Sequence, residues 1–264
     1  HLDGFLSYPS AVYTVPYGVM VPKEVGNLLL PVPVSVSHIG FSTLRMEPCW
    51  MAMGQAAGIA SALSIDGKVK VQNIDLSRLQ DKLVDQKANY LLSKPWNVDT
   101  ENGEYGEALN KVFDQTFRRK IKSLGKGAVK SGIAWLQPYF DDGKLAFMRI
   151  PSAELVPIWR DAERTKLDAF IRFYDQIIYV GTRKHTITHA EFWWTGGVRY
   201  FKTDAFGGTG AGDFYVDKEH GTEENDWTEP HFTVAGKPYN WEEVPIAWLK
   251  YNEEELPLCY FIKD

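Results

Sequence analysis

The chain has 264 residues, a formal net charge of −5, 44% apolar and 24% charged residues. That length fits one large domain or two ordinary ones, with enough apolar material to bury a core. The acidic balance gives no global reason to seek nucleic acid or an anionic membrane, so any such contact needs a local patch. The longest apolar stretch, LLLPVPVSV from Leu28, falls far short of the roughly 20 residues of a membrane helix and holds two prolines, so no membrane partner is expected. Cys49 and Cys259 are the only cysteines and lie far apart, which leaves no disulfide framework and no C-x-x-C metal site. A reducing cytosol suits them. The chain opens HLDGFLSY and stops at CYFIKD, and both ends read as cut from something longer.

From Val12 to Val36, alternating β-branched residues predict short strands, and prolines 16, 22, 31 and 33 exclude helix. RMEPCWMAMGQAAGIASALSI then predicts a helix to Ile65, with Pro48 in the first turn and Glu47 complementing the positive helix end. Ala52, Gly54, Ala56, Ala57, Gly58, Ala60, Ser61 and Ala62 make this helix unusually small-sided. Two glycines four apart weaken a helix, so something is expected to approach it: either a sheet packed tightly on it, or an anionic ligand at its N-terminus.

The stretch NLLLPVPVSVSHIGFSTLRMEPCWMAMGQAAGIASAL resembles the C-terminal end of the FAD-binding domain of FAD-dependent oxidoreductases. The resemblance implies a strand at Leu28 to Val36, a loop over Ser37 to Arg45, and a helix whose first turn lies near the flavin. It makes His38, Ser42, Arg45 and Gln55 candidate FAD neighbours; read without it, His38 and Arg45 are ordinary loop residues. The G-x-G-x-x-G turn that receives the FAD pyrophosphate does not precede residue 12. GGTGAGD at Gly207 is a poor imitation, with Asp213 in place of the third glycine and no helical pattern after it. FAD is therefore expected only for the complete parent of this segment.

IDLSRLQDKLVDQ has helical spacing, with Ile74, Leu76, Leu79, Leu83 and Val84 apolar. LVDQKANYLLSKPWNVDTEN, which overlaps it, resembles the early helix and following loop of phage portal proteins. LVDQ fits both families and marks the expected junction, giving domains 1–86 and 87–264. No Gly, Ser, Pro or charge-rich linker separates them before Pro95.

Tyr105 to Gly132 predicts one long amphipathic helix. Arg118, Lys122, Lys126 and Lys130 recur every four residues and form a basic stripe on it. The stripe is suited to DNA phosphates, to an acidic neighbouring subunit, or simply to solvent. IAWLQPYF, a turn at Asp141, Asp142 and Gly143, and KLAFMRIP predict a hairpin, and DAFIRFYDQIIYVG, KHTITHAEFWW and VRYFKT predict further antiparallel strands. The class is α+β. His185 and His189 have helical metal-ligand spacing, but in a strand they stand roughly 13 Å apart, too far to share an ion. The sequence holds no G-x-S-x-G, H-E-x-x-H or P-loop motif, so no catalytic residue and no metal ligand is assigned.

NYLLSKPW, FRRKIKSLGKGAVKSGIAWL, IPSAELVPIWRDAERTKLDAFIRFY and VPIAWLKYNEEELPLCYFIKD follow in order and resemble the wing region of bacteriophage portal proteins. That resemblance implies a non-enzymatic virion component, present in the virion and the host cytoplasm. Its subunits assemble into a ring of twelve at the head vertex, through which double-stranded DNA is packaged and ejected. It implies no cofactor, and an end before stem and clip. The alternative reading, from the first segment alone, is a fragment of an FAD-dependent oxidoreductase.

Overall fold

The computed structural model describes residues 13–94, 96–203 and 213–251. Two compact units divide these residues, the first ending at Lys94 and the second beginning at Trp96.

The described part of the first unit is helical. After a 3-10 turn at Tyr17–Met20 come α1 (His38–Leu44), α2 (Glu47–Gly67), a second 3-10 turn at Val71–Asn73 and α3 (Leu76–Leu92). Two of these starts are set by side chains: Ser37 accepts from the Gly40 N–H at the head of α1, and Asp75 accepts from the Ser77 and Arg78 N–H groups at the head of α3. Pro48 sits in the first turn of α2, where its missing N–H has no helical partner to lose.

Three expectations change here. The strands expected between Val12 and Val36 do not form among residues 13–36. The prolines remove ladder donors, and the extended stretches meet only through isolated bonds, Leu30 N–H to Met20 O at 2.9 Å and Ser35 N–H to Val19 O at 2.8 Å. The loop expected at Ser37 to Arg45 is mostly α1, because Ser37 caps it. The small-sided helix packs against a helix, not a sheet: Met53, Ala56, Ala60 and Leu63 of α2 share a core with Leu79 and Leu83 of α3, closed by Tyr17, Met20 and Ile74. Alanines let the two helices approach closely. The two glycines serve no such approach, since a Cβ at Gly54 or Gly58 would meet nothing within 4 Å among the described residues. The helix α3 runs without a break through Leu83 to Gln86.

In the second unit α4 (Gly103–Val112) and α5 (Gln115–Ser131) replace the single long helix expected over Tyr105 to Gly132. The chain leaves helical geometry at Asp114, whose carboxylate accepts from the Phe117 N–H at 2.8 Å and restarts the helix as an N-cap. Amphipathic spacing continues across the break, which is why periodicity alone misses it.

The strands are β1 (Ile133–Asp141), β2 (Lys144–Ile150), β3 (Leu155–Trp159), β4 (Leu167–Val180), β5 (Arg183–Trp194), β6 (Gly197–Thr203), β7 (Phe214–Val216), β8 (Thr228–Glu229), β9 (Phe232–Val234), β10 (Lys237–Tyr239) and β11 (Ala247–Lys250). All pair antiparallel. One sheet has the order β11-β1-β2, a larger one β3-β4-β5-β6-β7 with β8 also on β6, and β9 and β10 form a separate hairpin. The β1–β2 turn falls where the aspartate and glycine predicted it, with Asp142 and Gly143 at φ of 47° and 73°, the left-handed pair that matches strand twist. Gly197 is required for another reason: a Cβ there would lie 2.4 Å from the Glu229 carbonyl oxygen.

Alternation along β1 sorts its two faces. Ile133 and Trp135 point to the large sheet and share a core with Ile150, Leu155, Phe170, Val244 and Ile246. Ala134 and Leu136 point the other way, against Phe117, Leu124 and Ala128 of α5. The unit is therefore three layers: α5, the small sheet, the large sheet. Trp159 and Trp248 close the middle, with ring centroids 6.1 and 6.0 Å from that of Trp135. The α+β class holds, with its strands confined to the second unit among the described residues. The GGTGAGD stretch lies outside those residues apart from Asp213.

Candidate functional site

The residues proposed as flavin neighbours lie on α1, at its C-terminal end and on α2. His38 and Ser42 lie four apart on exposed turns of α1, and the Ser42 hydroxyl donates to the Ile39 carbonyl at 2.6 Å. Arg45 is exposed at the C-terminal end of α1. Gln55 is on α2, and its amide donates to Gln86 of α3 at 2.8 Å. Two of the four are thus committed to contacts within their own unit.

The basic stripe lies on α5, as its spacing predicted. Its first member is tied down: the Arg118 guanidinium donates to Asn97 at 3.1 Å and lies 5.8 Å from the Trp96 ring centroid. Lys122 and Lys126 are half-buried and Lys130 is exposed. The stripe therefore slants from the flank of the packed face into solvent, because a four-residue step overshoots a full turn by some 40°. Lys120, on the other flank, donates to the Phe147 carbonyl at 2.6 Å.

His185 and His189 are in β5, as their sequence context predicted, and pair with Ile178 and Tyr174 across the ladder. The His189 ring stacks on Tyr174, with centroids 5.1 Å apart, and its Nε2 lies 2.9 Å from the Gln176 side-chain oxygen. Among the described residues no cluster of three or more His, Cys, Asp or Glu is placed to hold a metal ion.

No motif in the sequence announces the ionic lattice on the large sheet. Register sets Arg172, Glu191 and Tyr200 side by side on β4, β5 and β6, with Tyr174, His189 and Lys202 in the next row. Glu191 is buried, 3.7 Å from the Arg172 guanidinium, and accepts from the Trp193 indole N–H at 2.9 Å. Burial, and then the Glu191 charge, pushes the Tyr174 hydroxyl up to about 12, and the same two causes raise Tyr200 further. Lys202 reaches Asp217 at 2.8 Å and Glu219 at 3.1 Å, and the bond to Asp217 raises its pKa. Each of these charged groups already faces an opposite charge, which suits strand register and leaves no poised acid or base. Residues two apart in three strands carry this lattice, and only the pairing register brings them together.

Next to α5, on its face of the small sheet, an open groove of about 590 Å³ has Leu136, Pro138, Phe147, Trp241 and Pro245 in its apolar lining. Glu242 and Glu243 stand exposed at its rim, and among the described residues no Lys or Arg lines it.

Two family models match the chain. Residues 3–83 match the FAD dependent oxidoreductase family, and residues 66–264 match the family of phage portal proteins similar to SPP1 Gp6. The chain belongs to the SPP1 Gp6-like phage portal protein family. The portal protein of Bacillus phage SPP1 is 28% identical over 183 residues, which are 69% of this chain and 34% of that protein. The portal protein of Clostridium phage phiCD119 is 32% identical over 123 residues, 42% of this chain and 27% of that protein. The chain thus spans about a third or less of the curated relatives it matches. The portal match covers the whole layered unit together with α3, and it overlaps the oxidoreductase match from residue 66 to 83. The junction expected at LVDQ lies at the downstream edge of that overlap. Among the described residues no helix is long and apolar enough to cross a membrane.

Proposed function

We propose that residues 87–264 act as the wing-like part of a phage portal subunit: a structural element that makes subunit contacts in the head-vertex ring through which double-stranded DNA is packaged and ejected. The observation that carries this reading is the portal family match over residues 66–264, which takes in all three layers of the second unit. The ionic lattice supports a non-enzymatic role, since its charged groups are spent on each other. The virion, assembled in the host cytoplasm, is where such a subunit works. Sedimentation velocity and negative-stain imaging of the purified chain test it: self-association into closed rings is expected, and a monomer at the highest attainable concentration overturns it for this chain.

A second reading concerns residues 1–86, on the strength of the oxidoreductase match over residues 3–83. We propose that this segment descends from a flavoprotein and does not hold FAD, because the Ser42 hydroxyl and the Gln55 amide already donate to partners within the segment. The chain mixed with FAD and desalted is expected to be colourless, and absorbance near 450 nm retained after desalting overturns that. Single-molecule sequencing of source DNA across the codons for Lys82 to Asn89 tests the proposed junction itself. Reads that span it make the fusion one gene; their absence makes it two.

A further inference from the structure

The long hairpin of the large sheet outruns its neighbours. Paired with β4, β3 reaches only as far as Arg172, while β6 pairs with β5 no further than His189. Beyond those points, from Asp175–Thr188 to Val180–Arg183, β4 and β5 pair only with each other among the described residues. A two-stranded ribbon is marginal in water, and this one carries apolar side chains on both faces. Tyr179 is 70% exposed, Ile177 51% and Val180 50%. Apolar side chains clustered at the end of a projecting arm mark a contact surface. The tip adds Arg183 and Lys184, both exposed.

The groove beside α5 has the opposite character, with an apolar floor and Glu242 and Glu243 at the rim. We propose that the β4–β5 arm of one copy of this chain seats in that groove on the next copy, Tyr179 and Val180 against the floor and Arg183 and Lys184 beside the two glutamates. The pairing is between copies because of length. Phe170 of β4 packs under the small sheet, and Val180 is ten residues further on, roughly 33 Å at about 3.3 Å per residue, so the arm points well away from its own groove. Arm and groove are different surfaces of one unit, so the contact is head-to-tail, the kind that propagates and closes into a ring when its rotation permits. Apolar burial supplies the affinity, and the rim charges fix orientation and exclude the arm-to-arm alternative, in which like charges meet.

This rests on the ring reading above and names the surfaces that would make the ring. The test uses the full chain in sedimentation velocity, with circular dichroism to confirm that each variant is folded. The charge reversals R183E/K184E and E242K/E243K are each expected to weaken self-association about tenfold or more, and the variant carrying all four is expected to recover it. A second measurement leaves these charges in place. With Cys49 and Cys259 replaced by serine, an equal mixture of V180C and P245C chains is oxidised; mixed V180C–P245C cross-links are expected to dominate. Assembly that is indifferent to both reversals, or cross-links that are mainly V180C–V180C or P245C–P245C, overturns the arm-in-groove contact while leaving the ring reading intact. A wild-type chain that never associates overturns both.

Discussion

The first unit buries Ala56, Ala57 and Ala60 where the second buries Trp135, Phe170 and Ile150. In the first, small side chains let α2 and α3 approach closely, so the stability of the pair rests on backbone proximity and a few large residues such as Leu79 and Met20. In the second, rings fill the space between two sheets, and each carries a large apolar area. Eight of the nine tryptophans belong to the second unit, Trp50 being the exception. The two cores therefore fail in different ways: one by losing a single filling residue between close helices, the other by opening a ring-sized hole between layers.

The largest break in this contrast comes from Trp135→Ala. With Trp135 only 1% exposed, the truncation is expected to remove about 3–5 kcal/mol from the second unit, read as a lower denaturant midpoint by tryptophan fluorescence. Leu79→Ala in α3 comes next, at about 3 kcal/mol, and should appear chiefly in helical circular dichroism at 222 nm. If instead either substitution shifts both signals equally, the two units unfold as one and the contrast is wrong.

A pH effect sharpens the description of the second unit. The His231 ring is stacked on Trp193, Nε2–H donates to the carbonyls of Trp194 at 2.8 Å and Gly197 at 3.1 Å, and Nδ1 accepts from the Trp241 N–H at 3.0 Å. With one nitrogen donating and the other accepting, the ring is neutral, and burial holds its pKa below the ordinary 6.5. The unfolded chain thus binds the proton first. His231 contributes its full stabilisation above pH 6.5, and that contribution declines as pH falls towards the folded value. Unfolding midpoints between pH 7.5 and 5 should drop in the wild type and drop less in H231Q, whose amide does not titrate.

The smallest expected effect has the opposite sign. Since a Cβ at Gly58 meets nothing within 4 Å among the described residues, Gly58→Ala should stabilise α2 by about 0.5–1 kcal/mol, as replacing an exposed helical glycine does. A loss of stability would mean that something lies against this face, as the two glycines four apart first suggested.

Local chemistry was readable where it decided local geometry. Aspartate and glycine at 142 and 143 set a two-residue turn, Pro48 opened α2, apolar spacing marked α3, and alternation carried β4, β5 and β6. Four-residue spacing placed Arg118, Lys122, Lys126 and Lys130 on one helix because helical periodicity is fixed by the backbone. Strand-like residues from Val12 to Val36 misled, since a strand exists only when another strand takes up its hydrogen bonds, and no such partner forms among the described residues there. The Asp114 break was hidden because an aspartate that can cap can also sit on an exposed helical turn, and α5 packing on β1 decides between them. The family was legible in the order of its motifs. Only the tertiary structure decided which side chains meet: the Arg172–Glu191–Tyr200 row, the groove under Glu242 and Glu243, and the unsupported length of the β4–β5 arm. Each of these depends on register between strands distant in sequence, and register is chosen by the burial of whole sheet faces, not by any residue alone.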